Sequence, residues 1–474
     1  MSFSSSFARL AVGLLVLSVA ACSSPSAPAP GKPASGASEK PAATAPSAAP
    51  GQPAASPSAA QAAAPAKPAA GQPVTLRLLM SAGEPSQSAV RALADRFQTA
   101  NPSTKIEIQA VPFAEFYRQV SVSLASGEPA DILWPDPSFV RGYVANDALL
   151  PLCCGTGDDA VTQEDMADFD ESLARSVTVD GKVYMALVPD SGSLLYYNKD
   201  LFEKAGVTPP STAETAWTWP QAIEAMLKVK KEEGGQVTVW GGTFRSNPPN
   251  QFDGMPFARS AGEKGSPTYK GISDDGLAVT GYLDTPEAIQ GFQLFQDLFV
   301  KHKLIPTSNI PDCFETGRCA TKIAPGDTAA VLTKQFPNLK WGVTPLPYVK
   351  TPIVHTGSQS FVVAAKSKLQ KEARAFVRFA VSKEQSVTQL QDTNRPPARK
   401  SLAGQYPAAK EPVMLLNIDT LRKWGQARPA TAGFSEYNTV TAKLFADLAN
   451  GAPVAERVKE TAREVDAQLA KYKK

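Results

Sequence analysis

Past residue 73 the apolar positions of the chain switch between a period of two and a period near 3.6, in a regular order. Val74, Leu76 and Leu78 alternate with polar residues, which predicts a strand broken by Met80-Ser81-Ala82-Gly83-Glu84-Pro85. Val90, Leu93, Ala94 and Phe97 have the spacing of one helix face, and Asn101-Pro102 stops that helix. Ile106 and Ile108 alternate again as a second strand. Phe113, Phe116, Val120 and Leu124 then form another helical stripe, ended near Gly127, and Asp131-Ile132-Leu133-Trp134 reads as a third strand. A βαβαβ start predicts right-handed crossovers and a mostly parallel sheet with helices on both faces. Ligands of such sheets sit at the carboxyl ends of the strands, which singles out the loops 81–85 and 135–138.

Farther along, Lys182 to Pro189 reads as an extended segment after a turn at Asp180-Gly181. Ser193 to Tyr197 reads as another strand, followed by a helix around Leu201 to Ala205. Trp217-Thr218-Trp219-Pro220 precedes a helix whose Ile223, Met226 and Leu227 face inward, with Trp219 and later Trp341 suited to the core. Helices follow near 286–300, 370–381, 413–423 and 437–448. The last runs from about 454 to 472 with Val458, Val465 and Leu469 at helical intervals.

Composition adds the compartment and the domain count. Near the N-terminus one basic residue, Arg9, precedes an apolar run from Leu10 to Leu17, too short to span a bilayer and laid out like an export signal. The fifty-one residues from Ser23 to Pro73 contain no Val, Ile, Leu, Met, Phe, Tyr or Trp, but twelve prolines and nineteen alanines. Such a segment cannot bury enough apolar surface to offset its ordering entropy. It reads as a tether with a contour of roughly 150 Å. The remaining 400 or so residues exceed one typical core, so two domains are expected. A net charge of +3 with scattered Lys and Arg gives no footprint for nucleic acid.

Small residues (Ser18-Val19-Ala20-Ala21) directly before Cys22 resemble the lipobox of bacterial lipoproteins. That resemblance implies removal of residues 1–21, lipidation of Cys22 and an extracytoplasmic protein anchored to the cell membrane through 22–73. Four cysteines then remain, with three possible pairings. Cys313 and Cys319 flank a short segment that could close on itself, and that bridge is favoured. Cys153 and Cys154 would form a vicinal disulfide, stay thiols or pair elsewhere. With no CxxC and two histidines far from the cysteines, no metal and no cofactor is expected.

Several segments in order resemble the carbohydrate-type solute-binding proteins of ABC importers, the family of maltose-binding protein. They are Phe97-Gln98-Thr99-Ala100-Asn101-Pro102, then Leu124-Ala125-Ser126-Gly127-Glu128-Pro129-Ala130-Asp131-Ile132, then Tyr196-Tyr197-Asn198-Lys199-Asp200-Leu201-Phe202-Glu203-Lys204-Ala205-Gly206. Phe314-Glu315-Thr316-Gly317-Arg318, Trp341-Gly342-Val343-Thr344-Pro345-Leu346-Pro347 and Pro396-Ala398-Arg399 continue the match. The resemblance implies an α/β, two-lobed periplasmic-binding-protein-like fold (type II) with an interlobe ligand cleft and hinge strands. The first lobe would hold 74–190 and 360–394, the second 191–359 and 395–474. A monomer is expected that takes a small solute, a sugar, and passes it to permease subunits after hinge closure.

A sugar site needs flat apolar faces for pyranose C–H groups and fixed hydrogen-bonders for hydroxyls. The family's contact regions map onto Glu84 and Asp136 in the two strand-end loops, and onto Ser191 and Ser193 in the first crossing. Each also has a plainer role, a turn or helix cap for the acids and local backbone bonding for the serines. Trp240 and Phe244 are candidate platforms. Many relatives have an aromatic residue after the glycine that matches Gly326, whereas this chain has Asp327. Stacking would then fall to Trp240, Phe434 or Tyr437. Arg395 and Arg428 near the cleft would favour a phosphate or carboxylate ligand, unless they serve as structural ion-pair partners. Two competing readings stand beside this one. A surface hydrolase would need paired carboxylates, but no G-x-S-x-G, HExxH or P-loop motif is present. A sensory or adhesive lipoprotein could use the same two-lobed fold without importing anything.

Overall fold

A computed structural model of the chain describes residues 73–154 and 159–473. The export signal, Cys22 and all of the tether but Pro73 lie outside the described residues. Strands Val74–Ser81 and Thr104–Val111 pair in parallel with Leu76 opposite Ile106 and Leu78 opposite Ile108. Ile132–Leu133 joins in parallel on the other side, and Val362–Val363 closes the edge antiparallel, giving a four-stranded sheet. The end of the first strand is buried on both faces because helices cover both. Helix Ser86–Ala100 buries Val90, Leu93, Ala94 and Phe97, and the Phe97 ring meets Phe376 and Phe379 edge-on at 5.2 and 5.4 Å. The buried carboxylate of Asp131 is fully used, accepting from the Arg77 N–H at 2.8 Å and the Ser367 hydroxyl at 2.6 Å.

The second sheet has the order Trp341–Thr344, Ser193–Asn198, Thr321–Pro325, Thr243–Phe244. Its central strand is antiparallel to both neighbours. Gly342 faces Tyr197 across that pairing, where an added Cβ would meet the ring 2.5 Å away, so no side chain fits. Helices Trp219–Val229, Gln251–Arg259, Pro286–Phe299, Phe434–Ala449 and Val454–Leu469 build the main core around it. One apolar cluster draws on residues between 76 and 188 and between 361 and 398, and others fill the second lobe. The chain therefore passes between lobes around 189–193, 356–360 and 396–402.

Most periodicities place their elements well, with three corrections. Leu227 is 44% exposed while its neighbour Met226 is 1% exposed. A helix advances about 100° per residue, so two adjacent apolar residues cannot both lie at the centre of one buried face. Phe113 is 59% exposed and leaves the stripe it was grouped with, of which Phe116 and Val120 are buried. The extended segment from Lys182 is a two-residue strand, Lys182–Val183, continued only by isolated bridges at Ala186 and Pro189. Trp219 is core and stacks on Phe257 at 4.1 Å, whereas Trp341 begins its strand and is half-buried. Cys313 and Cys319 are disulfide-bonded, and so are Cys153 and Cys154.

Met226→Ala is expected to lower unfolding stability by about 2–5 kcal/mol and Leu227→Ala by less than about 0.5 kcal/mol. Denaturant titration of the two variants checks this, and equal losses would contradict the assigned helix face.

Candidate functional site

Asp190 ties the three passes together. Its carboxylate accepts from the Thr356 hydroxyl at 2.6 and 2.8 Å and from the Ser191 and Gly357 N–H groups at 2.7 and 2.8 Å. Its own N–H donates to the Pro396 carbonyl at 2.8 Å. Burial pushes the carboxyl up to about 6, only partly offset by those donors. Close by, the Asn417 side-chain amide donates to the Gly192 carbonyl at 3.0 Å. A Cβ on Gly192 would meet Leu421 at 2.8 Å and Val354 at 2.9 Å, so this crossing is packed without room for a side chain.

Beside the crossings lies a cleft of about 330 Å³ lined by both lobes. Asp136 reaches it from the end of strand Ile132–Leu133. One carboxylate oxygen caps the following turn through the Ser138 N–H at 2.9 Å and also takes the Arg428 guanidinium. Asp327 reaches it from the end of strand Thr321–Pro325 and holds Arg395 through Nε at 2.9 Å and Nη2 at 2.7 Å. Arg395 Nη1 donates onward to Ser358 at 2.6 Å. A third arginine, Arg245, is held by the buried Asp253 at 2.9 Å. All three arginines of the cleft are thus matched by an aspartate, which leaves it close to neutral.

The aromatic groups are arranged differently from the expectation. Phe252 has two guanidinium groups against its ring, Arg245 and Arg428, each 5.1 Å from its centre. Tyr117 stacks on Phe139 at 3.9 Å, and Phe139 meets Phe434 of the other lobe edge-on at 5.0 Å. Burial, with the Asp136 charge as the lesser cause, raises the Tyr117 phenol well above its usual range, so it stays protonated. Phe113 lines the cleft with its ring largely open. Among the buried polar atoms of the lining, Gln251 Oε1, Gln359 Nε2 and Arg428 Nε have no hydrogen-bond partner among the described residues. A buried donor or acceptor left unpaired is costly, and a ligand hydroxyl at that place would relieve the cost.

Of the sequence candidates, Asp136, Ser191, Asp327 and Phe434 come together in this cleft, and so do Arg395 and Arg428. Ser193 does not line it, since its hydroxyl donates to Asp253 at 2.6 Å and so positions the partner of Arg245. Glu84 is exposed and accepts from the Ser88 N–H at 3.2 Å, the helix-start role. Phe244 and Tyr437 are buried in the second-lobe core. Trp240 packs beside the Cys313–Cys319 loop and bridges to Cys319. Phe113, Tyr117, Arg245, Gln251 and Gln359 also line the cleft and lie outside the sequence candidates. The available signal was position, since Phe113 follows the carboxyl end of strand Thr104–Val111, where ligands of parallel sheets bind.

The profile of bacterial extracellular solute-binding proteins matches residues 81–387. A protein of Brucella abortus (strain 2308) named as a binding protein is 23% identical over 391 residues, 79% of this chain and 88% of that one. The sn-glycerol-3-phosphate-binding periplasmic protein of Salmonella paratyphi A is 26% identical over 272 residues, 55% of this chain and 58% of the relative. Among solved structures, an ABC substrate-binding protein of Listeria monocytogenes in complex with cycloalternan superposes with a TM-score of 0.70 at 19% identity, covering 84% of this chain and all of that one. A receptor of Streptomyces glaucescens, solved unliganded and with acarbose, gives 0.71 at 20% identity over 85% of this chain and 100% of the other. Those likenesses give the fold, a two-lobed α/β architecture.

The raised carboxyl of Asp190 makes stability depend on pH. The folded state binds its proton more tightly than an unfolded aspartate with the ordinary value of 3.8. The contribution is therefore most favourable below about 4, is lost as pH rises towards 6, and is constant above that. Relative to Asp190→Asn, the wild type is expected to lose about 2 kcal/mol between pH 4 and pH 6. Parallel denaturant titrations read the difference, and a gap independent of pH would sink the assignment.

Proposed function

Because the chain belongs to the family of bacterial extracellular solute-binding proteins, we propose that it captures a small neutral carbohydrate between its lobes and delivers it to an ABC permease. The observation that carries the chemistry is the pairing of every cleft arginine with an aspartate. A phosphate or carboxylate ligand would have to displace one of those aspartates. A sugar would use the groups that are left: the open Phe113 ring for a C–H face, and Gln251, Gln359 and Ser191 for hydroxyls. Binding shifts the lobes by its preference for the closed arrangement, and the reading includes no chemical turnover. It also has the protein held at the cell membrane through a lipidated Cys22, with the 22–73 segment as tether.

The test is a thermal-shift panel of mono- and oligosaccharides, amino sugars and polyols beside sn-glycerol 3-phosphate, because a ligand of the folded state raises its apparent stability. A neutral sugar is expected to stabilise the protein, survive incubation unchanged and make the particle more compact in solution scattering. Phe113→Ala should weaken that sugar about tenfold, roughly 1.4 kcal/mol, with the apo melting temperature unmoved. Stabilisation by glycerol 3-phosphate alone would overturn the neutral-ligand reading, and steady product release would overturn the receptor reading. Asp136→Ala is the poorer probe, since stranding the buried charge of Arg428 is expected to cost about 3 kcal/mol of stability by itself.

A further inference from the structure

A second cavity, of about 740 Å³, opens beside strands Val354–Thr356 and Gly425–Ala427 and has walls from both lobes. Helix Glu171–Ser176 supplies the first-lobe wall and touches the second lobe where the Ala427 N–H donates to Ser172 at 2.7 Å. The electrostatics here are the reverse of those in the solute cleft. Seven lysines and arginines line this cavity. Lys423 and Arg428 pair with acids outside it and two more with acids of its wall, which leaves Arg259, Lys264 and Arg422 unmatched among the described residues. Each of the wall's three acids already has a task. Glu171 is taken by Arg175 at 3.2 Å, Asp274 by Lys270 at 2.8 Å, and Asp170 caps the helix through the Ser172 N–H at 3.0 Å.

At its floor lies Arg259, only 4% exposed. Its Nε donates to the Tyr269 carbonyl at 2.8 Å and its Nη1 to the Ala427 carbonyl at 3.0 Å, with His355 Nε2 2.8 Å away. Burial and the positive charges of Arg259 and Arg428 hold His355 far below its usual range, so it stays neutral and supplies no counter-charge. Nη2 forms no hydrogen bond among the described residues, and no carboxylate pairs with this guanidinium. At the rim, Lys264 and Arg422 also lack a carboxylate partner among the described residues. A buried cation without a counter-ion is among the most costly arrangements in a folded protein, and here it borders a cavity whose other unmatched charges, Lys264 and Arg422, have its own sign.

We propose that this cavity is a binding site for a phosphate-bearing anion, separate from the solute cleft, with Arg259 as its floor and Lys264 and Arg422 as its rim. Planar guanidinium groups with free N–H edges suit phosphate oxygens. The anion's charge would fall between the lobes, where it draws Arg175 of one towards Arg259 and Arg422 of the other. The inference does not depend on which solute occupies the cleft.

The probe is inorganic phosphate, titrated by calorimetry into the full chain at constant ionic strength, with chloride as the control anion. Saturable binding is expected, weakened about tenfold or more by Arg259→Gln and by the surface double variant Lys264→Ala/Arg422→Ala. The double variant removes only exposed side chains, so it tests the site even if Arg259→Gln does not fold. A lipid headgroup carries the same chemistry, and phosphatidylglycerol vesicles distinguish the sources. Flotation with vesicles that saturating phosphate abolishes assigns the site to a headgroup, and phosphate binding without flotation assigns it to a free anion. Absence of saturable binding to both probes overturns the proposal. So does a phosphate affinity unchanged in the double variant but lost in Arg395→Gln, because the anion would then be in the solute cleft.

Discussion

A single buried carboxylate holds the two halves of this molecule in register. Asp190 accepts from the second crossing and its own backbone donates to the third, so all three passes meet at one residue. Removing that charge from water is unfavourable, and three donors only partly offset it, which is why its proton affinity rises. The arrangement fixes where the crossings sit, along an axis that the three passes share. Small residues around it, Gly192 and Ser191 on one pass and Gly357 and Ser358 on another, keep bulk away from that axis.

Around this axis the same residue type is used in two opposite ways. On the cleft side, Arg245, Arg395 and Arg428 are each matched by an aspartate, and their remaining value is rigid geometry. On the other side, Arg259 is buried beside a neutral histidine and carbonyl oxygens, with no carboxylate partner among the described residues. Arg428 borders both cavities, so its pairing with Asp136 decides how far the positive potential of the second reaches into the first. Phe252 carries both Arg245 and Arg428 within 5.1 Å of its ring centre, so its π-surface is already engaged by cations.

Much of the fold was legible because it follows from period. The opening βαβαβ unit, the second-lobe strand at Ser193 and the long C-terminal helices all have apolar spacings that only one element type satisfies. The strand-end loops likewise pointed to Asp136, since parallel topology puts the carboxyl ends of strands at the cleft, whereas Asp327 came from its place after Gly326 in the family resemblance. What sequence could not supply was partnership at a distance. Asp136 and Arg428 are separated by 292 residues, and nothing local marks them as a pair. Aromatic candidates failed for a related reason. Phe244 and Tyr437 have the right chemistry for stacking, but the second-lobe core consumes them, and only burial separates them from Phe113. Gln251 and Gln359 carry no local signal at all, because an amide becomes informative only when its partner is missing.

The ion pairs that leave the cleft neutral also bear on how a lineage of such receptors changes its diet. Each pair stores a charge of either sign behind its counterpart. A single change at the acid, as at Asp327, would release Arg395 towards an anionic solute. The reverse change at the arginine would release a carboxylate for a cation or an amino group. Neither route requires the backbone to move or a new side chain to be built. Ligand class in this architecture can therefore turn on one codon, while the hinge that makes capture possible stays untouched.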